Sequence, residues 1–130
     1  MSRSERDDFQ KSTIRILEAR AGFKCCVCGK LTKGPNGADG VVSIGVAAHI
    51  TAASSGGPRY DQHLKPDERS SHENGIWVCE DHGKVIDSDP DSYSIEALRG
   101  LKRLRESAAS REMQYPPGKE DTSVRLLELP

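Results

Sequence analysis

The chain has 130 residues, 35% of them hydrophobic, 5% aromatic and 30% charged, with a formal net charge of -1. A length within the usual range for one domain and a thin apolar content point to a single unit whose modest core needs help from a disulfide or a metal. The near-zero charge excludes the broad basic field of a general nucleic-acid binder, so any phosphate contact has to come from local groups.

The opening stretch, Met1 to Asp8, is charged and no long apolar run follows, so neither a signal peptide nor a membrane span is expected. A cytoplasmic location is expected, and in that reducing compartment the four cysteines are metal ligands sooner than disulfide partners.

In chain order, Ser4 to Arg20 reads as an amphipathic helix with Phe9, Thr13, Ile16 and Leu17 on its apolar side, ended by Gly22. Cys25 to Gly29 is a tight turn, and residues 33–40 are turn-rich loop. The β-branched run Val41 to Ile50 predicts one strand that carries His49 near its end. Residues 51–74 are irregular apart from a short helix begun by Pro66, and a loop of that length in a small domain is usually functional or disordered. Gly75 to Cys79 reads as a second strand, and Glu80 to Asp87 as a short helix with two acids at its positive end. Ser94 is a natural cap for a last helix to about Met113, with Ile95, Leu98, Leu101 and Ala108 as its stripe. These elements define one domain over 1–114, followed by an extended or mobile tail over 115–130.

The strongest chemical signal is a pair of x-x-spaced ligand sets, Cys25 with Cys28 and Cys79 with His82. Two such turns can each offer two corners of a tetrahedron to Zn²⁺. A closed Cys₃His set leaves no open position, so this zinc is expected to be structural. Cys26 has the wrong spacing to join and is left to packing or to exposure as a thiol.

Ala47-Ala-His-Ile50, the run His72-Glu-Asn-Gly75 leading to Cys79 and His82, and Lys84-Val-Ile-Asp87 together resemble the HNH (His-Me finger) endonucleases, in particular their zinc-knuckle-bearing bacterial branch. The resemblance covers about residues 21–104. It implies an α+β fold: a small ββα-metal core with a zinc knuckle, flanked by N- and C-terminal helices. It also implies a metal-dependent endonuclease that hydrolyses phosphodiester bonds of DNA to 5′-phosphate and 3′-hydroxyl ends, in bacterial defence or restriction. His49 then activates water, Asn74 braces the loop carrying that base, and Asp87, one turn beyond Gly83, binds a catalytic Mg²⁺ or Mn²⁺. A neutral imidazole can take a proton from water near neutral pH, and an amide can donate and accept at once, so both roles suit their side chains.

The chain departs from the family at two positions where a metal ligand is common, Ala48 and Gly83. One carboxylate plus waters is still an ordinary environment for Mg²⁺. His63, His72, Asp61 and Asp89 are further candidate ligands, each of which alone reads better as a solvated loop residue. Arg59, Lys84 and the run Lys102 to Arg105 are the local basic groups, most of the run reading as a solvated helix face. A partner protein or self-assembly is expected to supply recognition or activation. The alternative function is a catalytically degenerate zinc module that binds nucleic acid or protein.

Overall fold

The computed structural model describes residues 6–116. Within them the chain is mixed α+β: α1 (Lys11–Arg20), β1 (Lys33–Pro35), β2 (Val41–Ser43), β3 (Gly45–His49), α2 (Pro66–Arg69), a 3₁₀ turn (His72–Asn74), β4 (Gly75–Cys79), α3 (Glu80–Ser88) and α4 (Ile95–Gln114). The strands make two separate two-stranded sheets, β1 with β2 and β3 with β4, both antiparallel.

The first helix begins at Lys11, later than its apolar pattern predicts; residues 1–5 lie outside the described part. Residues 6–10 are extended because tertiary bonds claim their backbone. The Asp7 N–H donates to the Ala53 carbonyl at 3.0 Å, and the Phe9 ring stacks on that of His49. On α1 the buried anchor is Leu17, whereas Ile16 is 44% exposed and not part of the core. The helix ends as expected at Gly22, whose φ of 66° suits a residue without Cβ.

The single strand expected over 41–50 is two strands separated by Ile44. The Ile44 N–H donates to Thr32 and its carbonyl accepts from Glu80, both at 2.8 Å, so the backbone changes partner there. β2 instead closes a hairpin with β1, and the 33–40 segment expected as loop is that hairpin. Asn36 makes its turn, Oδ1 accepting from the N–H groups of Ala38 and Gly40. Val41 and Val42 are exposed there, so this part of the β-branched run buries nothing.

The core lies between the β3–β4 pair and the helices. Leu17, Ile50, Ile76, Val78, Ile86 and Leu98 are fully buried, and Trp77 closes the layer with its Nε1–H donating to Thr32 Oγ1 at 2.9 Å. α4 starts at the expected cap, where Ser94 Oγ accepts from the Ala97 N–H at 3.1 Å. Ala109, one position beyond the expected Ala108, is its second buried residue. Ion pairs of Arg20 with Glu106 and of Lys24 with Glu112 tie α4 to the α1 side. Among the described residues no helix is long and apolar enough to cross a membrane. Most of the expected tail, residues 117–130, lies outside the described part.

Candidate metal centre and cleft

The register of the β3–β4 pair organises everything that follows. Gly45 stands opposite Cys79 at one end, and His49 opposite Gly75 at the other. Four steps of strand separate those ends, roughly 13 Å. Cys79 leads straight into α3, which presents His82 after one turn.

Cys25, Cys28, Cys79 and His82 converge at the Cys79 end, with one ligand atom from each within 4.8 Å of all the others. His82 Nδ1 lies 3.3 Å from Cys79 Sγ and 4.0 Å from Cys25 Sγ. Tetrahedral zinc with ordinary Zn–S and Zn–N bonds has S···N edges of about 3.5 Å, so the observed spacings bracket the required one. The Val27 and Cys28 N–H groups point at Cys25 Sγ, at 3.3 and 3.5 Å, where they can stabilise a thiolate. The four residues can hold a metal ion, and their donor set suits structural zinc. Bound there, zinc would cross-link residues more than fifty positions apart.

Cys26 is not part of the group. Its side chain is buried, its N–H donates to the Trp77 carbonyl at 2.9 Å, and burial pushes its thiol up to about 12. It is a packing residue, which removes the alternative of an exposed thiol.

At the opposite end His49 is half-buried. Its Nε2 lies 2.9 Å from the Asp7 carbonyl oxygen. A carbonyl only accepts, so Nε2 carries the proton of the neutral ring and Nδ1 is left with the lone pair. Phe9 stacks on the imidazole with centroids 3.9 Å apart and planes 9° from parallel. Burial, the dominant influence, lowers the His49 pKa below the usual histidine value, although the bond to Asp7 and the Asp8 and Asp87 charges act in the opposite sense. The ring therefore favours its neutral, proton-accepting form.

Asn74 is buried at 4% exposure, and three of its four side-chain bonds go to Thr51, the fourth to the end of α2. Its Oδ1 accepts from the N–H and the hydroxyl of Thr51, both at 3.1 Å. Its Nδ2 donates to the carbonyls of Thr51 and Arg69, both at 3.0 Å. Its own carbonyl accepts from the Ile50 N–H at 2.8 Å. The side chain thus fixes the backbone directly after His49.

Asp87 and His49 line one narrow cleft of about 190 Å³, together with Ala47, Ala48 and the Ala52–Pro58 turn. Asp87, Ala48, Gly83 and Lys84 line an adjoining, wider depression of about 790 Å³. The Asp87 side chain is exposed, but its Oδ1 takes a bond of 3.1 Å from Arg59 Nη2. Arg59 was expected to be a phosphate contact, and the structure gives it a different occupation. Its side chain is 5% exposed, Nε donates to the Ile50 carbonyl and Nη1 to the Ile86 carbonyl, at 2.7 and 2.9 Å. Arg59 ties the loop after His49 to the end of α3 and has little surface left to offer a ligand. Lys84 is exposed at the edge of the wider depression.

The other candidates do not gather here. Asp61 and His63 line a separate cleft beside Ser94. His72 belongs to the 3₁₀ turn, and Asp89 accepts from the Ser92 N–H beyond α3. Within the basic run, Lys102 turns inward to donate to the His72 and Gly75 carbonyls, and Arg105 pairs with Glu112. Sequence reasoning missed Asp7, Phe9, Thr51 and Arg69 as neighbours of His49 and Asn74. Of these only Thr51, next to the Ala-His-Ile segment, stands close enough in sequence for local inspection to find it.

The sequence matches no model of a known protein family, and no curated protein is significantly similar to it. The family resemblance therefore rests on the motif residues and on their arrangement in this chain.

Proposed function

We propose that this protein is a metal-dependent endonuclease of the HNH type that hydrolyses phosphodiester bonds of DNA. The reading takes β3, β4 and α3 as a ββα-metal core and the Cys₃His group as its structural zinc site. One observation carries it: His49 and Asp87 face one cleft, at the end of the strand pair away from the cysteines.

In this scheme His49 Nδ1 accepts a proton from the attacking water. The water oxygen bonds to phosphorus, the P–O3′ bond breaks, and the departing O3′ takes a proton from solvent, leaving a 5′-phosphate. Asp87 would hold a Mg²⁺ or Mn²⁺ ion, which when bound would supply charge stabilisation for the phosphate and the leaving oxygen. Asp87 has an oxygen not engaged by Arg59, which fits one-carboxylate binding with waters completing the shell. Asn74 holds the loop that follows the base, and Lys84, exposed at the edge of the wider depression, is the group that would meet a phosphate. With a net charge of -1, tight binding to DNA needs recognition from elsewhere, so a partner protein or self-assembly, in a defence or restriction setting, belongs to the proposal.

The second reading, a degenerate zinc module that binds nucleic acid or protein, draws on the Asp87–Arg59 ion pair. A buried guanidinium paired with Asp87 opposes a second cation there, and Ala48 and Gly83 add no donor. Nicking of supercoiled plasmid with Mg²⁺, Mn²⁺ or EDTA separates the two. Metal-dependent nicking lost in His49→Ala supports the nuclease, and equal inertness of both proteins refutes it.

A further inference from the structure

The extended segment Arg6–Gln10 crosses the end of the strand pair, and it makes contacts that nothing in its sequence announces. Its Asp7 carbonyl receives His49 Nε2–H, and its Phe9 ring covers one face of the imidazole. The segment is itself anchored. Asp7 Oδ2 pairs with Arg69 Nη1 at 3.2 Å, with side-chain exposures of only 16% and 9%, and the Asp7 N–H binds the Ala53 carbonyl. Arg69 is fixed in turn by the Asp61 carbonyl at 3.0 Å and by the Tyr60 ring, 4.7 Å from its Cζ. Gly75, the cross-strand partner of His49, completes the arrangement. A Cβ there would stand 2.5 Å from Leu17 and 3.0 Å from Phe9, so its bare backbone leaves room for both side chains.

We propose that this N-terminal strap sets the tautomer and orientation of His49, with Arg69 and Phe9 as the positioning residues that seat it. The catalytic consequence rests on the nuclease reading: a strap that keeps the proton on Nε2 keeps Nδ1 available as the base. Without it the imidazole would lose both the acceptor that fixes its proton and the ring that fixes its plane. A base displaced by about 1 Å can lose roughly 100-fold in rate.

The test uses the full zinc-loaded chain with ¹⁵N-labelled histidine, reading the His49 tautomer by two-bond ¹⁵N–¹H correlation at mildly alkaline pH, alongside plasmid nicking. The wild type is expected to show Nε2–H alone. Arg69→Gln and Phe9→Leu should give mixed tautomers and a kcat lower by about 10-fold to 100-fold, with KM little changed. Should Arg69→Gln fail to fold, Phe9→Leu decides, because it leaves the ion pair intact. A wild-type proton on Nδ1 overturns the proposal, as does a folded Phe9→Leu protein with an unaltered tautomer. A wild type that never nicks, with tautomers that still shift in the variants, upholds the strap and removes the nuclease.

Discussion

Asn74→Ala is the perturbation whose size follows most directly from the geometry. It deletes four side-chain bonds, to Thr51 N, Thr51 Oγ1, Thr51 O and Arg69 O, in a place shielded from water. At about 1 kcal/mol net for each bond the loss is about 4 kcal/mol, and any donor or acceptor left without a partner adds to it. Against a typical domain stability of roughly 5–15 kcal/mol this is a large fraction, and the midpoint of thermal unfolding should fall by about 10 °C or more. Asn74→Asp should be no better, because a carboxylate oxygen would then face the Thr51 and Arg69 carbonyls with no proton to offer. Urea unfolding of the zinc-loaded proteins measures both. A Thr51→Val partner in a double-mutant cycle isolates the hydroxyl bond, with an expected coupling of about 1 kcal/mol. If Asn74→Ala stayed within about 0.5 kcal/mol of wild type, as an ordinary surface change does, the brace would not exist as described.

Three further outcomes are expected. The purified protein should carry about one zinc per chain, and Cys25→Ser or Cys79→Ser should lose both metal and fold, whereas Cys26→Ala should keep the metal; elemental analysis with circular dichroism checks this, and undiminished zinc in Cys79→Ser would dismantle the site. His49→Ala should remain folded and zinc-loaded while its nicking rate drops by about 10²–10⁴-fold. In the wild type the rate should rise with pH as His49 loses its proton, with the midpoint of the rise below the ordinary histidine value of about 6.5, because burial lowers this pKa; a midpoint above that value would contradict the buried, neutral base. Asp87→Ala should retain zinc and fold but lose Mg²⁺-dependent cleavage, and a variant that cuts like wild type would move the catalytic ion elsewhere.

The features legible in the sequence are those whose cause is local. Cys79 and His82 are three apart at a strand-to-helix junction, and Ser94 caps α4 from three residues away, so spacing alone exposes them. The second strand and the helix after it were equally plain, since turn residues and a dense apolar run bound them. What escaped notice depends on partners far along the chain. Ile44 splits one apparent strand because Thr32 and Glu80 claim its backbone. Arg59 reads as a free cation, yet it reaches Ile50 and Ile86 from a φ of 58°. Lys102 sits in a run of basic residues, and only the fold shows that it turns inward to two carbonyls, where burial lowers its pKa. The charged N-terminal residues looked like the solvated start of a helix, and their role as a cover for His49 needs Arg69, sixty-two positions away.

The two departures from the family pattern, Ala48 and Gly83, also have a structural reading that bears on catalysis. α3 packs directly on β3, and a Cβ at Gly83 would lie 3.0 Å from Val46 Cγ2, tighter than an ordinary carbon contact. A side chain at 83 would thus require the Val46 side chain to give by a few tenths of an ångström. Ala48 stands opposite Ile76, a fully buried residue, and borders both the narrow cleft and the wider depression. Small residues at 48 and 83 therefore let the helix sit close, and that closeness brings Asp87 to the cleft lined by His49. On the nuclease reading the chain has fewer protein donors for its catalytic ion, but the one it keeps is held by Arg59 against a helix packed directly on the strand that carries the base. The same packing explains why an added ligand need not improve catalysis: Gly83→His would supply a donor while crowding Val46 on β3.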